Sequence, residues 1–166
     1  MKKAPTKLPL VPEQWRPTIV IDSREQDPLA FTFPTITAGL PTGDYTVVGL
    51  EDDFAVERKS VPDLIGSLTT GRDRFMRELQ RLQAYPFKRL LIIGSEKEIE
   101  EGGWSHSRAN PTAILHSLYS IEARGIPVAY ASSAVLAASL IERWAFWRAR
   151  AAFKSASQAM KAQPDL

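Results

Sequence analysis

Three acidic residues and one lysine have the types and the spacing that phosphodiester hydrolysis requires. Asp22 ends an apolar run, Asp44 precedes a second, and Glu57 and Lys59 stand two positions apart in a third. Carboxylates bind one or two Mg²⁺ or Mn²⁺ ions, which activate water and stabilise the charge on a leaving oxygen. A lysine kept cationic by acidic neighbours orients that water or stabilises the pentavalent transition state. An acid followed by Glu-x-Lys is, by itself, a weak pattern.

These residues can converge only if strands bring them to one edge of a sheet. Residues 18–22 (Thr-Ile-Val-Ile-Asp) form a short β-branched run, which is typical of a buried strand with polar residues at its carboxyl end. Residues 45–49 and 54–59 are two β-rich runs joined by a short acidic link. The pair predicts an antiparallel hairpin.

The alternation of side chains along the second hairpin strand decides which residues face the same way. Glu57 and Lys59 share one face with Ala55, and Arg58 points to the other face. The hairpin brings Asp44 close to Glu57, and the sequence leaves the register open. Three carboxylates and a lysine can therefore meet at this edge.

The remaining chain alternates between helix and strand signals. Ser60 is a helix N-cap, Gly71 stops that helix, and Asn110-Pro111 begins a later one. The predicted helices are 60–71, 72–85, 110–124 and 133–159, and the further strands are 88–94 and 125–130. The strand at 88–94 is apolar throughout, which indicates a central strand covered on both faces. We therefore predict an α/β three-layer sandwich, with a central mixed β-sheet and helices on both faces.

The composition excludes several classes of protein. The chain has 166 residues, of which 44% are hydrophobic and none is cysteine. This is enough for one core, and it excludes a disulfide framework and a thiolate zinc site. The basic start is followed by no apolar run of signal-peptide length, and the longest weakly polar stretch, 128–141, is too short to span a bilayer. We expect an intracellular protein without a membrane segment.

The net charge of +2 is informative only after it is divided along the chain. Residues 18–57 hold eight acids and one base, residues 58–89 hold eight bases and three acids, and residues 143–161 hold five bases and no acid. An acidic segment with basic flanks suits a protein that binds divalent cations and approaches the backbone of DNA. The alternative is that these blocks are solvated faces of helices and hairpins.

Four short motifs stand in chain order within residues 18–140: Asp22-Ser23-Arg24-Glu25, Gly43-Asp44, Glu57-Arg58-Lys59-Ser60-Val61-Pro62-Asp63 and Gly71-Arg72. Together they resemble the nuclease domain of the XPF-type structure-specific endonucleases, whose hallmark reads G-D, E-R-K-x-x-x-D, a short helix and G-R. The resemblance implies a restriction-endonuclease-like fold, dependence on Mg²⁺ or Mn²⁺, and incision of DNA near junctions between duplex and single strand. The prolines and the lack of periodicity before residue 18 predict an extended or disordered lead (1–17), which is followed by a nuclease domain (18–147) and a basic helix end and tail (148–166).

The resemblance also implies the roles of individual residues. The acidic active-site and metal-binding positions are Asp22, Asp44 and Glu57, the catalytic lysine is Lys59, and the supporting polar positions are Arg24, Glu25, Arg58 and Asp63. From the residues alone, Asp63 equally suits the first turn of its helix. Arg58 either pairs with a carboxylate such as Asp63 or reaches a phosphate.

Two further surfaces each have two possible roles. The arginines of the second helix (Arg72, Arg74, Arg77 and Arg81) are either a solvated face or, beside a metal site, a track for DNA phosphates. Family nuclease domains tend to form homodimers or heterodimers, and the apolar face of the last helix (Leu140, Trp144 and Trp147) is a candidate interface. Burial in the core is the favoured role of that face.

We predict from these observations a metal-dependent DNA endonuclease that acts on branched or flap-like DNA in repair, recombination or replication. We expect it in the cytoplasm, associated with the nucleoid in a cell, or of viral origin. The alternative is a catalytically inactive DNA-binding or scaffold subunit with the same fold. An intact set of Asp44, Glu57 and Lys59 favours the enzyme, because a degenerate copy is expected to have lost at least one of them.

Overall fold

A computed structural model describes residues 11–163. The strands are β1 (Ile19–Asp22), β2 (Thr35–Ala38), β3 (Tyr45–Val47), β4 (Phe54–Ser60), β5 (Phe87–Ile93) and β6 (Val128–Ala131). The helices are α1 (Val61–Leu68), α2 (Arg72–Leu82), α3 (Glu96–Glu101), α4 (Pro111–Ala123) and α5 (Ala134–Lys161), and a 3₁₀ turn (Glu13–Trp15) precedes β1. Residues 1–10 of the predicted lead and residues 164–166 of the predicted tail lie outside the described range.

The six strands form one mixed sheet in the order β2-β1-β3-β4-β5-β6. The middle of the sheet is antiparallel, because β3 pairs in this way with both β1 and β4. The outer pairs β1–β2, β4–β5 and β5–β6 are parallel. This topology brings the carboxyl ends of β1 and β4 and the amino end of β3 to the same edge of the sheet.

Alternating side chains of the sheet build two cores, one on each face. Ala55, Leu90 and Ile92 pack with the apolar residues of α1, α2 and α4. Val56 and Leu91, which point to the other face, pack with the small and apolar residues of α5. The predicted three-layer sandwich is therefore confirmed.

Helix capping follows the sequence signals. The Asp63 N–H donates to the Ser60 side chain at 3.2 Å, and the Thr112 N–H donates to Asn110 Oδ1 at 2.9 Å. Such caps satisfy backbone donors that no helical carbonyl can reach. The cap at Ser60 makes α1 begin directly where β4 ends, so the last residues of β4 lie against this helix.

Three elements were not predicted, namely the 3₁₀ turn (Glu13–Trp15), which lies within the lead predicted as extended or disordered, β2 and α3. The strand β2 lies at the sheet edge and reads Thr-Ile-Thr-Ala, and all four residues are exposed. Polar and apolar residues alternate in it, but four residues are the lower limit for that signal. The acidic run at 96–101 forms α3. It is capped by Ser95 and anchored by a fully buried Ile99. One buried side chain in six residues leaves no periodic signal.

The apolar face of α5 divides between two roles. Leu140 and Trp144 pack against the core beneath the sheet, as favoured from the sequence. Trp147, about one helical turn farther along α5, is 62% exposed. None of the helices within residues 11–163 combines the length and the apolar character needed to cross a bilayer.

Candidate active site

A polar pocket of about 220 Å³ opens at the sheet edge where β1 and β4 end and β3 begins. The residues of the sequence-predicted site that line it are Asp22, Arg24, Glu25, Asp44, Glu57 and Lys59. Helix α2 supplies one wall through Arg74, Glu78 and Arg81. The pocket therefore combines acids from three strands with arginines from a neighbouring helix.

Backbone hydrogen bonds fix Asp44 beside the end of β4. Its N–H donates to the Val56 carbonyl at 2.8 Å, and its Oδ2 accepts from the Arg58 N–H at 2.7 Å. Gly43 turns the chain into this position with a φ of 77°, and a Cβ there would stand 3.1 Å from the Val56 oxygen. Glycine is required because both the left-handed backbone and the close approach disfavour a side chain. The register that the sequence left open is thus set by Gly43 and Asp44.

Asp44 and Glu57 form a pair of carboxyl groups that repel one another. Burial, followed by the charge of Glu57, raises the pKa of Asp44 to about 7. Burial also raises the pKa of Glu57, which is 9% exposed, although its neighbour Lys59 opposes that shift. A cation between or beside two acids held in this way would stabilise their charged forms.

Lys59 is held as a cation within the pocket. Its Nζ lies 3.1 Å from Glu57 Oε1 and 5.2 Å from the centre of the Phe75 ring. Burial lowers the pKa of Lys59, but the charges of Glu57 and Asp44 outweigh it and raise the pKa overall. The lysine therefore offers charged N–H donors and is not a base at neutral pH.

Asp22 is bound differently from the other two acids. Its Oδ2 accepts from Arg24 Nε at 2.9 Å, and its Oδ1 accepts from the Leu40 N–H at 3.0 Å. Arg24 in turn donates to the Leu40 carbonyl at 2.6 Å. Both oxygens of Asp22 are therefore engaged in fastening the end of β1 to residue 40.

The donor set suits Mg²⁺ through Asp44 and Glu57. Over residues 11–163, no three acidic, histidine or cysteine side chains are clustered as a ready-made metal site. Mg²⁺, however, is usually held by one or two carboxylates and completes its shell with water and substrate phosphate. Asp44 and Glu57 are hard oxygen donors whose mutual repulsion a divalent ion relieves. The two acids thus fit the implied metal, and the third predicted ligand, Asp22, lies in the same pocket with its oxygens hydrogen-bonded to Arg24 and the Leu40 N–H.

The predicted supporting residues Arg58 and Glu25 contact each other, and Asp63 lies apart from them. Arg58 Nη2 donates to Glu25 Oε1 at 3.1 Å and to the Asp27 carbonyl at 3.0 Å. Arg58 therefore pairs with a carboxylate, which is one of the two roles that the sequence left open, and that carboxylate is Glu25 and not Asp63. Asp63 is exposed in the first turn of α1 and lines a neighbouring hollow together with Lys59.

The arginines of α2 do not all face the pocket. Arg74 and Arg81 line it, whereas Arg72 donates to Ser117 Oγ at 3.1 Å and Arg77 lines a separate hollow. Glu78, which was not predicted as a site residue, lines the pocket and pairs with Arg74 at 3.0 Å. Its signal is the i, i+4, i+7 spacing of residues 74, 78 and 81, which puts them along one side of a helix.

The charge of Asp44 is expected to make the metal-free protein less stable as pH rises. Because its folded pKa of about 7 exceeds the ordinary value of 3.8, the fold disfavours the ionised form, and stability falls between about pH 4 and pH 7. Asp44→Asn keeps an acceptor for the Arg58 N–H and removes the charge. In urea unfolding with EDTA, the variant should show a smaller fall, to which only Glu57 still contributes, and it should be more stable at pH 8 by up to about 4 kcal/mol. Parallel pH profiles for the two proteins would contradict the assignment.

Comparison with known proteins identifies relatives of this chain. Residues 21–143 match the family model described as the ERCC4 domain. No curated protein sequence matches the chain. The solved structure of XPF from Aeropyrum pernix has a TM-score of 0.63 and 23% identity, over 78% of this chain and 60% of that one. XPF from Aeropyrum pernix in complex with DNA gives 0.66 and 23%, over 81% of this chain and 66% of that one.

These matches bear on both the fold and the motifs. The two structures share the fold of this chain, so the predicted restriction-endonuclease-like architecture is confirmed. The chain spans less than two thirds of the length of either XPF chain. The family model covers the four motifs and most of the sheet. The chain belongs to the ERCC4 domain family, as its resemblance to XPF-type nuclease domains predicted.

Proposed function

We propose that this protein is a metal-dependent DNA endonuclease that hydrolyses phosphodiester bonds in branched or flap-like DNA. The observation that carries the proposal is the convergence of Asp44, Glu57 and Lys59 in one pocket whose wall bears Arg74 and Arg81. Acids for a metal, a cation for a developing charge and arginines for phosphates are the components that this reaction needs. A role in repair, recombination or replication follows from the substrate.

Membership of the ERCC4 domain family supports DNA as the substrate. One of the similar structures is XPF in complex with DNA, and it resembles this chain at a TM-score of 0.66. At 23% identity that likeness concerns the fold, so the activity and the DNA structure cut are proposals for this chain.

Each residue of the pocket has a distinct task in the proposed reaction. Asp44 and Glu57 would hold Mg²⁺ or Mn²⁺, which supplies water activation and charge neutralisation when bound. Lys59, oriented by Glu57 at 3.1 Å, donates to a non-bridging oxygen of the scissile phosphate, where negative charge develops. Because its pKa is raised, Lys59 keeps its proton throughout. Asp22 acts indirectly, by holding Arg24 and the loop at residue 40.

The second candidate is an inactive DNA-binding or scaffold subunit of the same fold. The presence of both buried acids argues against it, because Asp44 and Glu57 repel each other and a bound cation would relieve that repulsion. Incubation of the protein with labelled flap, splayed-arm and plain duplex DNA, in Mg²⁺, Mn²⁺ or EDTA, separates the two. We expect metal-dependent cleavage of the branched DNAs. Binding without cleavage in every metal would favour the scaffold.

Arg74 and Arg81, beside the pocket, are expected to contact DNA phosphates, and the arginines of a separate hollow are not. Arg74→Ala with Arg81→Ala should weaken duplex binding by about tenfold and flatten the slope of log K against log salt by about 1.8, since each phosphate contact contributes about 0.9. The matched control is Arg77→Ala with Arg124→Ala, which removes two exposed charges from a separate hollow. Fluorescence anisotropy in EDTA measures both. Equal losses of DNA affinity in the two double variants would contradict the proposed phosphate contacts of Arg74 and Arg81.

A further inference from the structure

The second half of α5 projects beyond the core. The helix has 28 residues, about 42 Å of length, and its last buried residue is Ala145. Arg148 fixes its position by donating to both oxygens of Asp53, at 2.5 and 2.6 Å, just before β4 begins. Glu57 and Lys59 lie toward the opposite end of β4. The segment from 146 to 161 is therefore at the end of the domain remote from the candidate active site.

This segment and the 3₁₀ turn enclose a groove of about 950 Å³. Its apolar surface comes mainly from aromatic rings, including Trp15, which is 57% exposed, and Phe153, which is 74% exposed. Large apolar side chains exposed together mark an interaction site. The rings are therefore accessible to a flat ligand.

The groove is also strongly basic. Arg150, Lys154 and Lys161 line it, and no acidic side chain does so within the described part of the chain. The sequence from 143 to 161 contains five bases and no acid. Along the helix, Arg150 and Lys154 are about 6 Å apart and Lys161 follows about 10 Å later. An occupant must therefore be an extended anion with apolar, flat groups.

We propose that this groove binds single-stranded DNA. Bases stack on Trp15 and Phe153, and Arg150, Lys154 and Lys161 neutralise the strand's phosphates, which is how sequence-tolerant single-strand sites are built. The proposal rests on the proposed function, because a branched substrate cut at the pocket has a single-stranded arm to offer. Since the groove lies at the remote end of β4, it contacts that arm away from the scissile phosphate.

Two other occupants are disfavoured by charge. A second copy of the chain, docked through the same face, would bring two sets of like charges together. The first ten residues of the chain, which precede this turn, include Lys2, Lys3 and Lys7 and no acid. They would add positive charge to a groove that is already positive.

The test measures the affinity of the full chain for labelled oligo(dT) in EDTA. Trp15→Ala with Phe153→Ala should weaken binding about tenfold or more, because stacking on each ring is lost. Arg150→Ala with Lys154→Ala should flatten the slope of log K against log salt by about 1.4, at about 0.7 per phosphate on a single strand. The matched control is Val135→Ala with Met160→Ala, two residues of α5 that are more than 70% exposed and do not line the groove. All variants are surface changes whose folding circular dichroism verifies.

Three outcomes overturn the inference. Oligo(dT) affinity equal in the wild type and the aromatic variant excludes stacking. A loss of self-association in the aromatic variant, seen by sedimentation without a loss of oligo(dT) binding, assigns the groove to a second copy. Equal competition by poly-glutamate assigns it to an acidic protein. Cleavage of branched DNA is measured separately, so intact cleavage with a failed groove, or a working groove without cleavage, identifies which proposal has failed.

Discussion

Glu57→Gln is expected to lower the rate of DNA cleavage by at least about a thousandfold while DNA binding stays nearly unchanged. Glutamine keeps the shape of the side chain but removes one of the two charges that would hold the metal, and it breaks the ion pair that orients Lys59 at 3.1 Å. Removing a group that stabilises transition-state charge commonly costs 10²–10³ in rate, about 3–4 kcal/mol, and here two such functions are lost together. Single-turnover cleavage and anisotropy, on the same DNA, measure the two quantities.

The matched control is Glu78→Gln. Glu78 lines the same pocket, but it pairs with Arg74, whose side chain is 83% exposed. Its neutralisation should change the cleavage rate by no more than a few fold. If both variants lost activity equally, the general negative charge of the pocket, and not a metal site at Glu57, would be responsible. Cleavage by Glu57→Gln at the wild-type rate would refute the metal assignment.

Arg58→Met is expected to destabilise the fold by about 3 kcal/mol. Arg58 and Glu25 are only 14% and 11% exposed at their side chains, which lie 3.1 Å apart. Removing one partner leaves the other charge buried without compensation, which typically costs 3–5 kcal/mol. The buried Nε of Arg58 has no hydrogen-bond partner within the described residues, and this lowers the net stabilisation that the ion pair gives the wild type. Urea unfolding in EDTA measures the change.

The double variant Arg58→Met with Glu25→Gln is the control for this prediction. Glutamine can still accept from the Asp27 N–H, as Glu25 does at 3.2 Å, but carries no charge to bury. Most of the lost stability should return, because replacing both members of a buried pair is far less damaging than removing one. If the double variant were as unstable as the single one, the loss would come from packing of the arginine chain and not from the stranded charge.

The sequence predicted the order of most elements because their signals are local. β4 and β5 are defined by apolar runs, and the helices by caps such as Ser60 and Asn110. β2 and α3 were not predicted from the sequence because tertiary contacts specify them. β2 exists by pairing with β1, and α3 is anchored by the single buried residue Ile99.

The candidate site was predictable where strand geometry alone decides direction. Alternation puts Glu57 and Lys59 on one face and Arg58 on the other, as the structure has them. The partner of Arg58 was not predictable, since Glu25 stands 33 positions earlier and reaches it only in the folded chain.

The wall formed by α2 and the hydrogen bonding of Asp22 depend on the folded chain in the same way. Helical periodicity gives the spacing of Arg74, Arg77 and Arg81, but not the rotation of α2 about its axis, which decides which of them face the sheet edge. Asp22 looked equivalent to the other acids in sequence. Its engagement with Arg24 and the Leu40 N–H depends on a loop closed by β2.

The central claim is that Asp44 and Glu57 hold a metal with which this chain cuts DNA. The most direct test is a time course on labelled flap DNA that starts in EDTA and receives excess Mg²⁺ midway, with the wild type and Glu57→Gln in parallel. We expect no product before the addition, product from the wild type after it, and none from the variant. Product in EDTA, or equal product from both proteins, would contradict it.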